Sequence, residues 1–360
     1  MGLRIIPPDT NINFIGVRKY AYAFSIILIL VGLISLVVKG GPRLGIDFAG
    51  GTIIQIEFDK GLDIDRVKSA LNDVPLSGLT IQRFGQDDEN TVLLRTSTEE
   101  ANPEQIRAMV SEALASNMAD TPFTVQRLEM VGPKVGADLR GKALEALFYA
   151  VLLIAIYISG RFEQRWMTSA IMAGGLAGTI YVLQLMSLPT TYLIVAAMLI
   201  TLALCWYLKL NYALGAVVAL THDVIVTVGI FSLLNKEFDL TIIAALLTIV
   251  GYSLNDTIIV FDRIRENLRG KSGKSSLSRL VNKSINETLS RTILTSGTTL
   301  MVVFCLFLFG GGVIHDFAFA LLVGIFVGTY SSIYVASPIL LGFGPTLPDS
   351  EPEDRERAAV

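Results

Sequence analysis

Residues 241–261 read TIIAALLTIVGYSLNDTIIVF, an apolar run in which Asp256, beside Asn255, is the one charged residue. At 1.5 Å per helical residue the run spans about 30 Å, the thickness of a bilayer's hydrocarbon core. A charge at the centre of such a helix costs about 2.5–3.5 kcal/mol on insertion scales, so it marks an ion or proton pathway more readily than a packing position. Arg291 opens the next comparable run, beyond a basic loop. The chain therefore reads first as a membrane machine.

The rest of the chain repeats the pattern. Its 360 residues are 52% hydrophobic and 17% charged, with a mean hydropathy of +0.58, and the apolar residues lie in blocks. Eight blocks are long enough to be read as spans: 20–38, 143–159, 167–186, 192–208, 212–234, 240–261, 292–309 and 317–341. Arg18, Lys19, Arg161, Arg165, Lys209 and the basic residues of 262–291 all fall on one side of these spans, whereas the opposite short loops hold only Lys236. The positive-inside bias then makes residues 1–19 a cytoplasmic N-terminus, 39–140 an external domain, 141–341 a bundle with a cytoplasmic loop at 262–291, and 342–360 a charged cytoplasmic tail. The first span has a long core and no small-x-small site after it, which reads as an uncleaved anchor. Both cysteines, Cys205 and Cys305, fall inside spans, so no disulfide framework is expected outside. A net charge of −3 points to no nucleic-acid partner.

Within the external segment the periodicity changes in an ordered way. Thr52, Ile54, Ile56 and Phe58 alternate as in a strand, and Ile64, Val67, Ala70, Leu71 and Val74 repeat at helical spacing. Two strand-like runs follow, 79–84 and 91–96, joined by a polar turn over 85–90. A second helix starts at Asn102-Pro103, where Asn can cap, Pro suits the first helical position and Gln105 can reach back. A last strand over 123–128 completes β-α-β-β-α-β, the order of a ferredoxin-like α+β unit, which hosts unrelated functions. No His, Cys or carboxylate cluster has metal-ligand spacing, so neither an enzyme site nor a cofactor is expected. Gly45, Asp47, Phe48, Gly50 and Gly51 lead into a strand rather than a helix, which argues against a phosphate cradle and for a tight turn between anchor and sheet.

Taken together, GIDFAGG at 45–51, VGPKVG at 131–136, RFE at 161–163, ALG at 213–215 with His222-Asp223, GYSLNDT at 251–257 running into VFDRIREN at 260–267, and LSRT at 289–292 resemble the SecF family. That family is the smaller partner in the SecD/SecF accessory complex of the bacterial protein-export translocon, within the resistance-nodulation-division superfamily. The resemblance implies a cytoplasmic (inner) membrane protein that uses the proton-motive force. It also implies SecD, the SecYEG translocon and YajC as partners, besides the translocating polypeptide and membrane lipid. Such proteins have six spans, and here about 45 residues, 167–211, intervene between the RFE and ALG motifs. A two-span hairpin there leaves the downstream orientation intact. Gly174 and Gly178 form a small-x-x-x-small pair that suits either close helix contact or an ordinary membrane helix.

On helical spacing Thr248, Tyr252 and Asn255-Asp256 share one side of the sixth span, and Arg291, Thr295 and Thr298 one side of the seventh. Two such stripes on neighbouring spans can line a hydrated path. The resemblance makes Asp256 and Arg291 the expected proton-relay residues, with Asn255 beside them. Asp223 lies nearer the centre of its own span and is a further relay candidate, while His222 is read as packing. His315-Asp316 is expected in an external turn. The alternative function is half of a proton-coupled exporter of lipid or small molecules.

Overall fold

The computed structural model describes residues 7, 10–59, 63–84, 90–96, 102–163, 166–185, 190–269 and 277–343. Helix α1 (Arg18–Val38) leads into a short turn of helix, α2 (Ile46–Ala49). Next comes the unit β1 (Gly51–Phe58), α3 (Ile64–Ala70), β2 (Thr80–Phe84), β3 (Thr91–Thr96), α4 (Pro103–Asn117) and β4 (Phe123–Val131). The chain then returns as α5 (Pro133–Glu163), α6 (Trp166–Leu185), α7 (Thr190–Tyr207), α8 (Asn211–Leu233), α9 (Leu240–Arg269), α10 (Leu277–Phe309), α11 (Gly311–Ser331) and α12 (Ser337–Phe343).

The sheet has the order β2-β3-β1-β4 with every neighbouring pair antiparallel. Ile54, Ile56 and Phe58 of β1 and Val92 and Leu94 of β3 point to one face and are buried against Val67 and Ala70 of α3 and Ile106, Val110 and Leu114 of α4. The period-2 alternation leaves Gln55, Glu57, Arg95, Arg127 and Glu129 on the other face. The start of α4 is a reciprocal capping box: Asn102 Oδ1 accepts from the Gln105 N–H at 2.9 Å, and Gln105 Oε1 accepts from the Asn102 N–H at 3.1 Å.

Six helical stretches among the described residues are long and apolar enough to cross a membrane: Arg18–Val38, Pro133–Glu163, Asn211–Leu233, Leu240–Leu268, Leu277–Phe309 and Ile314–Gly342. Exposed apolar side chains such as Phe24, Leu30 and Ile34 on α1 and Met301 and Phe304 on α10 form the lipid-facing surface that such a bundle requires. The last stretch contains a π turn, Ser332–Ala336, between α11 and α12. Pro338 supplies no N–H and its ring crowds the preceding turn, and the π turn absorbs that mismatch, with the Ser337 hydroxyl donating to the Ser332 carbonyl at 2.7 Å.

Several boundaries differ from the sequence reading. Helix α5 starts at Pro133, ten residues before the expected span, because Pro is favoured at a first helical position and nothing breaks the helix before Glu163. The expected loop 262–291 is helical to Arg269 and again from Leu277, so Arg291 sits in mid-helix rather than opening it. Polarity marks where the apolar run stops, not where the backbone hydrogen bonding does. His315 and Asp316 lie within α11, not in a turn. The glycine-rich motif includes the helical turn α2 before β1. Helices α6 and α7 occupy the expected hairpin and pack beside α5 and α8. A Cβ at Gly174 or Gly178 would meet nothing within 4 Å among the described residues. Residues 85–89 of the expected turn and 344–360 of the expected tail lie outside the described residues.

The motif at 45–51 joins the sheet to two helices. Gly50 has φ +77°, and a Cβ there would lie 2.9 Å from Pro133 Cα, so only glycine turns the chain into β1 this close to α5. Gly136 of α5 sits over the Phe48 carbonyl in the same way, with a Cβ 3.1 Å away. The Gly45 N–H donates to Phe238 O at 2.7 Å and the Phe238 N–H to Arg43 O at 2.8 Å, which zips the linker to the loop before α9. Asp47 Oδ2 accepts from the Leu240 N–H at 3.0 Å, and Asp239 Oδ1 from the Ile242 N–H at 2.9 Å.

Burial pushes the Asp239 carboxyl above the usual carboxylate range, and Asp47 and Asp316 add to this against hydrogen bonds from the Ile242 and Thr241 N–H groups. A carboxyl raised in the folded state holds its proton more tightly there than when unfolded. Its stabilisation is therefore full below the unfolded pKa and lost as pH rises through the folded one. Thermal unfolding in detergent should show stability declining over that window, and Asp239→Asn, which keeps an acceptor for Ile242, should flatten the decline. An equally steep decline in the variant would assign the pH dependence to another group.

Candidate functional site

Two carboxylates are fully buried in the bundle, and α9 runs past both. Asp223 lies twelve residues into α8, about 18 Å from its start, and Asp256 sixteen residues into α9, about 24 Å from its start. Their surroundings differ in kind.

Asp223 is completely solvated by protein donors. Its Oδ2 accepts from the Ser253 hydroxyl of α9 at 2.5 Å and from the Ser331 hydroxyl of α11 at 2.8 Å. Its Oδ1 lies 2.9 Å from His222 Nδ1, and His222 Nε2 lies 3.0 Å from Ser25 Oγ of α1. The Ser25 hydroxyl donates in turn to Tyr330 Oη at 3.2 Å. Tyr330 stacks on the imidazole at 6.2 Å and donates to Ala21 O at 2.7 Å. His222 thus links Asp223 to Ser25 of α1.

Asp256 is only half solvated. Its Oδ2 accepts from the Ser296 hydroxyl of α10 at 3.1 Å, and Thr329 Oγ1 of α11 stands 2.8 Å from Ser296 Oγ and 3.5 Å from Asp256 Oδ2. Asp256 Oδ1 has no hydrogen-bond partner among the described residues, nor have the buried hydroxyls of Thr257 and Thr292. A buried polar atom left without a partner costs about 1–3 kcal/mol, more when charged, so Asp256 is the less well satisfied of the two acids.

Close helix approach creates the site. A Cβ on Gly324 of α11 would lie 2.2 Å from Ile249 Cδ1, and one on Gly328 would lie 2.8 Å from Ser253 Cβ. Gly32 of α1 and Gly229 of α8 meet backbone to backbone, one heptad beyond the Ser25–His222 contact on each helix. Below the carboxylates, the RFE motif locks three helices. Glu163 Oε1 accepts from the Tyr212 N–H at 2.9 Å, Phe162 stacks on Tyr212 at 5.3 Å, and both rings meet Phe261 edge-on.

The sequence reading places the polar stripes one residue off. The side chains of α10 that face Asp256 are Thr292 and Ser296, whereas Arg291 and Thr298 are exposed and no ion pair joins Arg291 to Asp256. On α9 the partner of the site is Ser253, one turn before Asp256, while Thr248 and Asn255 are exposed. Tyr252 reaches Thr299 at 3.3 Å. Adjacent helical residues lie about 100° apart, and both stripes have the same spacing, so periodicity alone does not choose between them. Ser25, Ser253, Ser296, Thr329 and Ser331 go unnoticed in the sequence because isolated hydroxyls are common in membrane helices. Spacing from the two acids singles out Ser253 alone.

Ser253→Ala removes one of the three groups that solvate a buried carboxylate and should cost about 1–3 kcal/mol. Unfolding in detergent should register this loss. Gly328→Ala, which pushes on the Ser253 side chain, should reproduce it; a Ser253→Ala protein as stable as the parent would mean that Asp223 has other support.

Comparison with known proteins identifies the setting of this site. The SecD/SecF GG motif model matches residues 34–61, which include the joint between α1 and β1. The model of the C-terminal part of the protein export membrane proteins SecD/SecF matches residues 110–189 and 177–345. The two matches meet within 167–211. Among curated proteins, the protein translocase subunit SecF of Desulfurispirillum indicum is 43% identical over 339 residues, covering 93% of this chain and 92% of that one. SecF of Vibrio alginolyticus is 39% identical (95% and 92% covered), and SecF of Rickettsia prowazekii 35% identical (95% and 94%). The crystal structure of SecDF from Thermus thermophilus, a translocon-associated membrane protein, matches 94% of this chain with a TM-score of 0.67 and 30% identity. SecDF in its super-membrane-facing form matches 100% with a TM-score of 0.56 and 28% identity. The chain spans 39–40% of the length of those two SecDF chains. A sequence match across nearly the whole chain, with a shared backbone under it, makes this a multi-pass member of the SecD/SecF family of protein-export membrane proteins.

Proposed function

We propose that the chain works as the SecF-like part of a proton-driven export motor, in which Asp256 takes up and releases a proton and so changes how α9, α10 and α11 pack. The observation that carries this reading is the buried Oδ1 of Asp256, which has no hydrogen-bond partner among the described residues, while Oδ2 accepts from the Ser296 hydroxyl. A neutral acid and a carboxylate need different surroundings in such a place. The carboxylate needs donors or a cation, and the acid needs an acceptor for its own proton, so each proton transfer favours a different packing. Ser296 and Thr329 form a hydroxyl chain to the acid. Arg291, exposed on α10, is the cation that supports the ionised form after a helix rotation. Asp223 is a further relay candidate on α8, and Asn255 stands beside Asp256 on α9. One proton crossing 100 mV releases about 2.3 kcal/mol, enough to bias a conformational equilibrium nearly fifty-fold.

In this reading the chain lies in the bacterial cytoplasmic membrane with both termini inside. Helices α6 and α7 bring six family-type spans to eight, and 39–140 is a periplasmic ferredoxin-like domain. The orientation rests on the basic residues gathered on one side, and the domain assignment on the strand order β2-β3-β1-β4 with two helices on one face. SecD is the natural partner, since the solved relatives are SecDF chains more than twice this length. SecYEG and YajC complete the assembly, a polypeptide emerging from the membrane is the substrate, and lipid surrounds the exposed helices. The chain is then a transport component rather than an enzyme, and relatives bearing the name of protein translocase subunits favour polypeptide over lipid or small molecules as cargo.

Asp256→Asn should abolish the contribution of the proton-motive force to export while leaving assembly and abundance unchanged, as measured by translocation into membrane vesicles with and without an imposed proton gradient. Export that responds to the gradient as in the parent would remove Asp256 from the relay.

A further inference from the structure

Helix α9 carries Asp256, and its outer end is fastened to the sheet unit rather than to the bundle alone. Two residues before it, Glu237 and Phe238, and its first residue, Leu240, are held by the external segment. Glu237 receives both arms of the Arg95 guanidinium from β3 and lies 3.2 Å from Arg43. Phe238 exchanges backbone hydrogen bonds with Arg43 and Gly45. The first N–H of α9, on Leu240, is capped by Asp47 from α2, while Asp239 caps Ile242. Asp47 is thus the side chain that closes the helix end against the joint, and β1 begins four residues after it.

The other side of the joint is fixed on α5. Phe48, next to Asp47, is buried with Phe238 and Ala143, and Gly136 of α5 presses on its carbonyl. The turn 46–49 therefore lies between two long helices, hydrogen-bonded to one and wedged against the other. An α-helix is stiff along its axis, so a rotation or shift of α9 caused at Asp256 arrives at Leu240, about 24 Å away, nearly undiminished. The cleft of about 860 Å³ between the open face of the sheet and the outer end of the bundle gives the sheet unit room to tilt. Its walls include Arg95, Arg127 and Glu129 from the sheet and Lys236, Glu237 and Asp316 from the bundle.

We propose that Asp47 is a positioning residue that couples α9 to the external sheet unit, so that a change at Asp256 becomes a tilt of the sheet. The proposal rests on the reading of Asp256 as the proton site. The cap, an acceptor for a backbone N–H, is the property that matters, and asparagine supplies it as well as aspartate does.

The test uses the full chain in its native complex, reconstituted in lipid, without the two native cysteines and with spin labels at Ser116→Cys on α4 and Phe309→Cys at the outer end of α10. Both positions are exposed. Asp256→Asn, which stands for the protonated acid, should shift the distance distribution between the labels. In an Asp47→Ala background the same substitution should shift it by less than half as much, and in an Asp47→Asn background by the full amount. A merely structural role for Asp47 would change the starting distance without changing the response. Should Asp47→Ala fail to accumulate, Glu237→Gln cuts the Arg95 attachment instead, and the response should again fall by at least half. A full response in the Asp47→Ala or Glu237→Gln background overturns the coupling alone. No response to Asp256→Asn with Asp47 intact overturns the proton reading and the coupling with it.

Discussion

The contact between α9 and α11 sets the geometry of everything else in the bundle. Gly324 and Gly328 give α11 a face without side chains, and Ile249 and Ser253 of α9 fill it. Without a hydrophobic driving force between helices in lipid, close van der Waals contact and interhelical hydrogen bonds must hold them together. Both terms are spent at this one crossing. Because the backbones approach so closely, Ser331 and Thr329 on α11 reach the carboxylates of α8 and α9, respectively. A wider crossing would leave both acids unsolvated. The same economy recurs between α1 and α8, where Gly32 on Gly229 brings Ser25 to His222 and lets Ser35 and Ser232 bond at 2.8 Å.

Two acids so placed divide the work between them. Asp223 has a full set of donors from three helices, and removing any of these helices would strand a buried charge, so it ties α1, α8, α9 and α11 into one block. Asp256 has a single close hydroxyl, and its Oδ1 has no partner among the described residues. A network that is fully satisfied makes a structure rigid, and one that is partly satisfied stores a choice between arrangements. The rigid element and the adjustable one lie a single helical turn apart on α9, at Ser253 and Asp256.

Much of the architecture was legible in the chain because its signals are local. The capping box of Asn102 and Gln105, the alternation of β1 and the length of the apolar runs depend on neighbours within a few residues, and the structure carries each of them. The position of Asp256 inside an apolar helix was equally visible, since one charge in such a run needs no partner to be conspicuous. Its surroundings were not. Which side of α10 faces α9 depends on the packing of the whole bundle, so the stripe through Arg291 and the stripe through Thr292 and Ser296 look alike in one dimension. The helix ends at Arg269 and Leu277 were missed for a related reason: polar residues such as Arg263, Asn267 and Glu287 form helix–helix bonds of their own outside the apolar core. The role of the glycine-rich motif was half visible. Its turn is local, but its bonds to Phe238 and Leu240 join residues nearly 200 positions apart.

The sheet unit is attached to the bundle in a way that suits movement more than rigidity. Beyond the covalent links at α1 and α5, its contacts among the described residues include a few backbone hydrogen bonds, the Asp47 cap, a buried aromatic wedge at Phe48 and the ion pairs of Arg95 and Arg43 with Glu237. The pair of Arg95 with Glu237 is about one-fifth exposed on each side, so water can compete for it. An attachment meant to be permanent would bury an apolar interface. Here the facing surfaces of the sheet and the bundle are charged and separated by a cleft, and opening it exposes groups that water solvates well. The cost of tilting the sheet is accordingly small next to the cost of parting α9 from α11, so a disturbance that begins at Asp256 meets least resistance along the path through Leu240 to Asp47 and β1.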